Sequence, residues 1–237
     1  RTALAKSKNM VSIRILQAVG PKTAQEWVTR FGFEAEKHPA YLTMALGAGS
    51  VTPLQMASAF SVFANGGYRV NPWLITRVTD HKGRVISENP PPDISDLPRA
   101  IDARNAFVMN NLLQEVTRSG TAARAQATLK RTDLHGKTGT TNDAKDAWFV
   151  GYTGGFVAAV WVGKDDNKAM RGVTGGSSPA AIWRGFMEAA LPKLAVQPIP
   201  NGPPLPEGWV APDPVGAAGA QRGGVKLMRL IAGVLDD

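Results

Sequence analysis

Cysteine is absent from the 237-residue chain. That excludes disulfide frameworks, thiolate metal sites and a cysteine nucleophile, and a chain with no thiols to protect is at ease outside the cytoplasm. Histidine is scarce too: His38, His81 and His135 share no metal-ligand spacing, so packed or surface imidazoles account for them. Long apolar runs are missing. The longest uncharged one, Phe156 to Val162, falls well short of the roughly 20 residues that a membrane helix needs. Acidic residues are the minority charge, 19 against 27 Lys and Arg, for a net +8. Such a balance suits an anionic substrate, an anionic membrane surface or nucleic acid. The basic residues are scattered without interleaved aromatics, which reads as solvated faces and not as a nucleic-acid surface. The chain opens at Arg1 with neither Met nor signal peptide, so it is expected to be a piece of a longer protein, with anchors and targeting signals upstream.

What is present is ordinary globular material, 43% hydrophobic and 19% charged, long enough to bury roughly 70% of its unfolded surface. Two stretches divide it. Glu88 to Pro98 (ENPPPDISDLP) forbids helix and central strand alike and reads as an exposed connector. From Pro192 to about Gly224 the chain is rich in Pro, Gly and Ala, the composition of an extended or disordered surface tail. Helical spacing returns only over Val225 to Leu235. The expected organisation is therefore a domain over residues 1–191 and a tail over 192–237.

Met10 to Phe63 reads as mostly helical. Thr52-Pro53-Leu54-Gln55 has the form of a capping box, with Thr52 at the N-cap and Pro53 at N1. Met56, Phe60 and Phe63 follow on one face, and Gly66-Gly67 can end that helix in a left-handed turn. Leu74 to Ile86 alternates around Lys82-Gly83 as a hairpin. A further helix is expected over Asp102 to Thr117, capped by Asp102, with Phe107, Leu112, Leu113 and Val116 inward. After Gly136 the period changes to two: Trp148 to Tyr152 and Phe156 to Val162 are near-continuous apolar strands, as in a sheet covered on both faces. Ala180 to Leu191 supplies a covering helix. This order predicts an α+β domain with an antiparallel sheet flanked by helices.

Two familiar motifs fail on inspection. Gly136-Lys137-Thr138 ends like a phosphate-binding loop, but position 131 is Arg where that loop needs Gly. Gly47-Ala48-Gly49 begins like a dinucleotide fingerprint, but Thr52 stands where its last Gly belongs, so a helix-entry turn is the better reading. What remains is Ser7-Lys8-Asn9 and Lys137-Thr138-Gly139-Thr140. Alone, the first is an ordinary turn or cap and the second an edge strand blunted by Lys. Together they resemble two of the three motifs of penicillin-binding proteins and serine β-lactamases, in which S-x-x-K accompanies S-D-N and K-T-G. The flanks sharpen the likeness. Met44 to Phe60 with Phe63-Ala64-Asn65-Gly66-Gly67, then Gly136 to Tyr152 (GKTGTTNDAKDAWFVGY), then Gly175 to Met187 (GGSSPAAIWRGFM), resemble class A penicillin-binding proteins of the bifunctional, 1a-like branch. Gly154 departs from the pattern, standing where relatives often have Pro.

The resemblance covers roughly residues 1–191 and implies the C-terminal part of a penicillin-binding transpeptidase fold. It also implies acyl transfer on stem peptides ending in D-Ala-D-Ala, at the periplasmic face of the bacterial inner membrane. Such a reaction needs a nucleophile, an oxyanion hole, a proton path to the leaving amine and a grip on the terminal carboxylate. On this sequence Ser7 would relay the proton, Asn9 would orient substrate and the nucleophile-side lysine, and Lys137 would hold Ser7 and attract the carboxylate. Thr138 and Thr140 would offer hydroxyls to that carboxylate, and the Thr140 N–H would serve the oxyanion. Gly139 would let substrate dock along the strand. The implied partners are peptidoglycan stem peptides and lipid II-derived glycan strands, β-lactams as inhibitors, the upstream segment of the same protein and cell-wall synthesis proteins. No cofactor or metal is called for.

The nucleophile is missing: no serine of the chain has Lys three residues later. In the family that motif precedes S-x-N, so it is expected upstream of Arg1. Two other readings stay open at this point. One is a carboxypeptidase or β-lactamase-type hydrolase on the same scaffold, in which water replaces the acceptor amine. The other is a non-catalytic module that binds peptidoglycan or a partner protein.

Overall fold

A computed structural model describes residues 1–200. The expected residues 201–237 of the tail, and with them the helical spacing at Val225 to Leu235, lie outside the described residues.

The chain begins with a one-turn helix, α1 (Thr2–Ala5), followed by α2 (Asn9–Val19) and α3 (Pro21–Val28). Short 3-10 turns then carry it to α4 (Pro53–Ala64). The capping box forms as the sequence requires: the Gln55 N–H donates to Thr52 Oγ1 at 3.1 Å, and the Thr52 N–H donates to Gln55 Oε1 at 2.9 Å. Two orphan donors are thereby satisfied and the start of α4 is fixed. Past the end of the helix Gly66 and Gly67 take φ of +83° and +116°, the left-handed exit expected of them. The hairpin also forms, as β1 (Arg77–Thr79) and β2 (Val85–Glu88) in antiparallel register. Asp80 Oδ1 accepts from the Lys82 and Arg84 N–H groups across its turn. Both strands are exposed along their whole length, and the connector after them carries only the 3-10 turn Ile94–Asp96.

Helix α5 (Ala103–Arg118) starts on Asp102, whose carboxylate accepts from the Arg104 N–H at 2.7 Å. Its inward face corrects the sequence reading in one place. Leu113 and Val116 are buried, but Phe107 is 44% exposed, and Ala106 and Asn110 point inward instead. The stripe is set by the close approach of α4, which admits a small side chain at 106 and an amide at 110. A short helix, α6 (Ala123–Leu129), follows. Its alanine-rich run has no apolar stripe legible in sequence, and its position comes from packing.

Three antiparallel strands follow, β3 (His135–Thr140), β4 (Asp146–Thr153) and β5 (Phe156–Gly163), in the order β3-β4-β5. The register pairs Lys137 with Val150 and Thr138 with Phe149, so period-two alternation divides the sheet into two faces. One face carries His135, Lys137, Val150 and Tyr152 and lies against α4 and α5. There Tyr152 packs with Leu113, Ala64 and Phe60. The other face carries Phe149, which meets Trp183 of α7 (Ser178–Ala190) edge-on at 5.0 Å. Val116, Leu134, Met187 and Leu191 complete that core. Near-continuous apolar strands are thus explained: helices cover both sides.

The stretch after Pro192 is mostly exposed over the described residues, yet it is tied to the domain. Ile199 packs against the Tyr152 cluster. The Gln197 carbonyl crosses so close to Gly154 that a Cβ there would collide with it, which gives a steric reason for glycine at this position.

Beneath the first face a polar pair joins two elements. The Tyr152 hydroxyl donates to Asn110 Oδ1 at 2.5 Å, and Asn110 Nδ2 donates to the Phe63 carbonyl at 2.9 Å. Tyr152 is fully buried, and burial pushes its phenol pKa well up, so it remains a donor. Tyr152→Phe should cost about 1–3 kcal/mol, because it strands a buried amide oxygen without removing any apolar contact. A denaturation midpoint equal to that of the unsubstituted protein would show that the hydroxyl carries no such weight.

Candidate active site

Ser7 and Lys137 are 130 residues apart in sequence and meet in the fold: Lys137 Nζ donates to Ser7 Oγ at 2.9 Å and to the Thr138 carbonyl at 2.8 Å. Each is delivered by a distinct device. Lys137 sits at the third position of β3, on the face turned toward α4 and α5. Ser7 follows α1 in a Schellman turn, with the Ser7 N–H donating to the Leu4 carbonyl at 3.0 Å and the Lys8 N–H donating to the Ala3 carbonyl at 2.8 Å. That turn requires a left-handed residue at its C′ position, normally Gly. Here it is Ser7, with φ of +50°. A hydroxyl kept where backbone preference asks for glycine is strain held at a chemically useful point.

Desolvation of the Lys137 ammonium lowers its pKa to about 8, within reach of proton exchange near neutral pH. His135 lies two residues back on the same face of β3, buried and stacked on Tyr152 at 5.1 Å. Burial lowers its pKa as well, so the imidazole places no second positive charge beside Lys137 near neutral pH.

The edge of β3 is as important as its faces. Because the Thr141 N–H donates to the Asp146 carbonyl at 3.0 Å, antiparallel alternation turns the backbone groups of Thr138 and Thr140 away from β4. Among the described residues β3 is an outer strand, so those N–H and C=O groups face an open edge. The two hydroxyls leave the opposite face from Lys137 and are already engaged. Thr138 Oγ1 lies 2.6 Å from Thr121 Oγ1, and Thr140 Oγ1 accepts from the Gly175 N–H at 2.9 Å. Gly139 lies between them, and a Cβ there would make ordinary contact with the Trp148 side chain.

A cleft of about 500 Å³ opens beside this strand, lined by Lys137, Gly139, Val150, Met56 and Phe60 together with His38. His38 is packed, 9% exposed, against Phe33, in keeping with the sequence reading of the histidines. Asn9 is the first residue of α2 and is exposed. Its amide makes no hydrogen bond to a described side chain or backbone group. Sequence reasoning did not single out Thr121, which lies in no recognisable motif, and took Gly175 only as the start of the Gly175 to Met187 flank, because each acts through a contact with a distant strand. Among the described residues no group of three or more His, Asp or Glu could hold a metal ion.

A lysine on the outer strand of a helix-covered antiparallel sheet, bonded to a serine on the turn after α1, is an arrangement suited to acyl transfer. The family model of the penicillin binding protein transpeptidase domain matches residues 1–188, and the chain belongs to that family. Within it the chain is similar to penicillin-binding proteins 1A. That of Neisseria flavescens is 47% identical over 212 residues, 89% of this chain and 26% of the relative. That of Neisseria gonorrhoeae is 50% identical over 193 residues, 81% of this chain and 24% of the relative. The crystal structure of penicillin-binding protein 1A from Haemophilus influenzae superposes with a TM-score of 0.78 at 32% identity, covering 85% of this chain and 35% of that one. The penicillin-binding protein PonA1 of Mycobacterium tuberculosis, at 23% identity and a TM-score of 0.69 over 89% of this chain and 63% of that one, shares the fold. The chain spans about a quarter of the length of the curated relatives it matches.

Proposed function

We propose that this chain is the C-terminal part of a peptidoglycan D,D-transpeptidase within a longer, bifunctional synthase. Residues 1–191 belong to the penicillin-binding domain, and residues 192–237 form a C-terminal extension. The observation that carries the reading is the Lys137–Ser7 hydrogen bond, which closes the distance between two motifs that have no other reason to meet. In this reading a serine with a lysine one helical turn away, contributed by a segment outside the chain, attacks the penultimate carbonyl of a stem peptide ending in D-Ala-D-Ala. Ser7 passes a proton toward the departing D-Ala nitrogen, and Asn9 orients the substrate and that second lysine. An acceptor amine from a neighbouring peptide then takes the acyl group.

The open edge of β3 supports substrate docking as an added strand, because the Thr138 N–H and the N–H and C=O of Thr140 face outward along it, while the Thr138 carbonyl is held by Lys137 Nζ. The Thr140 N–H points outward and is the oxyanion donor from this strand. The Thr138 and Thr140 hydroxyls take the terminal carboxylate. Lys137 adds positive charge in a poorly solvated place, where it acts more strongly than in water. β-Lactams, which carry a carboxylate next to a strained amide, are inhibitors by the same contacts. Two relatives of this fold at lower identity have been crystallised as imipenem and penicillin G acyl-enzyme complexes. The enzyme works on the periplasmic face of the inner membrane, held by a segment outside this chain, on stem peptides of lipid II-derived glycan strands and alongside cell-wall synthesis proteins. No described helix is long and apolar enough to cross a membrane.

The test is release of D-Ala from a stem peptide by the full-length protein, with and without an acceptor amine. Cross-linked product with the amine supports the transpeptidase, whereas hydrolysis alone in both conditions would make it a carboxypeptidase. A pH profile tests Lys137 separately. Its protonated form attracts the carboxylate, so acylation by benzylpenicillin should fall as pH rises through about 8, and that limb should vanish in Lys137→Ala. A rate that climbs steadily to pH 9 would instead make the neutral amine the active form.

A further inference from the structure

We propose that Thr121 is a positioning residue for the substrate carboxylate, its hydroxyl donating to Thr138 so that the Thr138 proton is free to point at the anion. The inference rests on the reading of Thr138 as a carboxylate partner. Thr121 and Thr138 are joined by a 2.6 Å hydroxyl–hydroxyl contact in which either oxygen can donate. In the free protein the direction is undecided. A carboxylate accepting from Thr138 would settle it, because Thr138 has a single proton and its own lone pairs must then be served from behind. The chain Thr121 O–H to Thr138 O–H to carboxylate is polarised in one sense, and aligned hydroxyls strengthen one another.

Main-chain contacts hold Thr121 in place independently of its hydroxyl. The Thr121 N–H donates to the Ala5 carbonyl at 3.1 Å, two residues before Ser7, and Lys6 Nζ donates to the Ser119 carbonyl at 2.7 Å. Gly120 has no room for a Cβ, which would lie 2.5 Å from the Ala5 carbonyl oxygen, and one on Gly176 would lie 2.8 Å from the Thr121 carbonyl oxygen. A single turn between α5 and α6 thus grips the segment that presents Ser7 while its side chain touches the strand that presents Lys137. Because main-chain contacts fix the turn, Thr121→Val removes the hydroxyl and keeps the β-branched shape.

The experiment compares acylation of the full-length protein by benzylpenicillin and by its methyl ester, which lacks the anion. A merely structural role for Thr121 would slow both alike. The proposal requires the acid-to-ester rate ratio to drop about three- to tenfold in Thr121→Val and to recover in Thr121→Ser. Thr121→Ala gives the same comparison if valine perturbs the turn. An unchanged ratio, or equal slowing of both compounds, overturns it. Thr138→Val separates the two layers. If that variant keeps the wild-type ratio, the carboxylate reading falls and takes this inference with it. If Thr138→Val lowers the ratio and Thr121→Val does not, only the role of Thr121 is lost.

Discussion

Incubated with a fluorescent penicillin, the 237-residue chain alone should gain no penicilloyl mass, even at high concentration, whereas the full-length protein should label one to one. Acylation needs a serine whose proton is taken by an adjacent base. None of the chain's serines has a lysine three residues later, and the serine beside Lys137 is Ser7, held on a left-handed turn. In the full-length protein Lys137→Ala should slow labelling by about a hundredfold or more, the size expected when a proton-transfer partner is lost. Intact-mass spectrometry decides the first part: a penicilloyl adduct on the isolated chain would reveal a nucleophile within it. Labelling of Lys137→Ala at the wild-type rate would sink the second part, and with it the meaning given to the Ser7–Lys137 contact.

The second large effect concerns Ser7, where substitution separates activity from stability. Ser7→Ala and Ser7→Gly both delete the hydroxyl bonded to Lys137, and both should slow acylation of the full-length protein by about a hundredfold or more. Their folds should differ. Alanine must adopt a φ of +50° at a cost of about 1 kcal/mol, which glycine avoids. Ser7→Gly should therefore melt about 2–4 °C above Ser7→Ala. Such a pair separates loss of chemistry from loss of structure, since the more stable variant is equally slow. If both variants melt together, the turn relaxes around Ser7 and the strain argument fails. If Ser7→Gly acylates normally, the proton passes by another route.

How legible the fold was depended on the range of the interaction. The capping box at Thr52, the Gly66-Gly67 exit and the Asp80 to Arg84 turn are each closed by partners within five residues, so the local sequence names them. The strands β4 and β5 were legible because helices on both faces leave a nearly unbroken apolar run, buried along β4 and half-buried along β5. Phe107 was misplaced because an inward position on α5 is set by the distance to α4, and no periodicity records that distance. Helix α6 was missed for a related reason, as its alanines become a face only once α5 and α7 lie against them.

The same division runs through the candidate site. Sequence alone determined which functional groups are available: a hydroxyl at Ser7, an amine at Lys137, hydroxyls at Thr138 and Thr140, no thiol anywhere, and no serine with lysine three residues later. These follow from covalent composition and short spacing, which folding does not change. Only the tertiary structure decided that Lys137 reaches Ser7, that desolvation brings its pKa down to about 8, and that the Thr140 N–H faces an open edge. It also introduced Thr121, which a linear motif cannot contain. The physical reason is that pKa, hydrogen-bond direction and strand edges are properties of surroundings, and here the surroundings come from segments up to 130 residues apart.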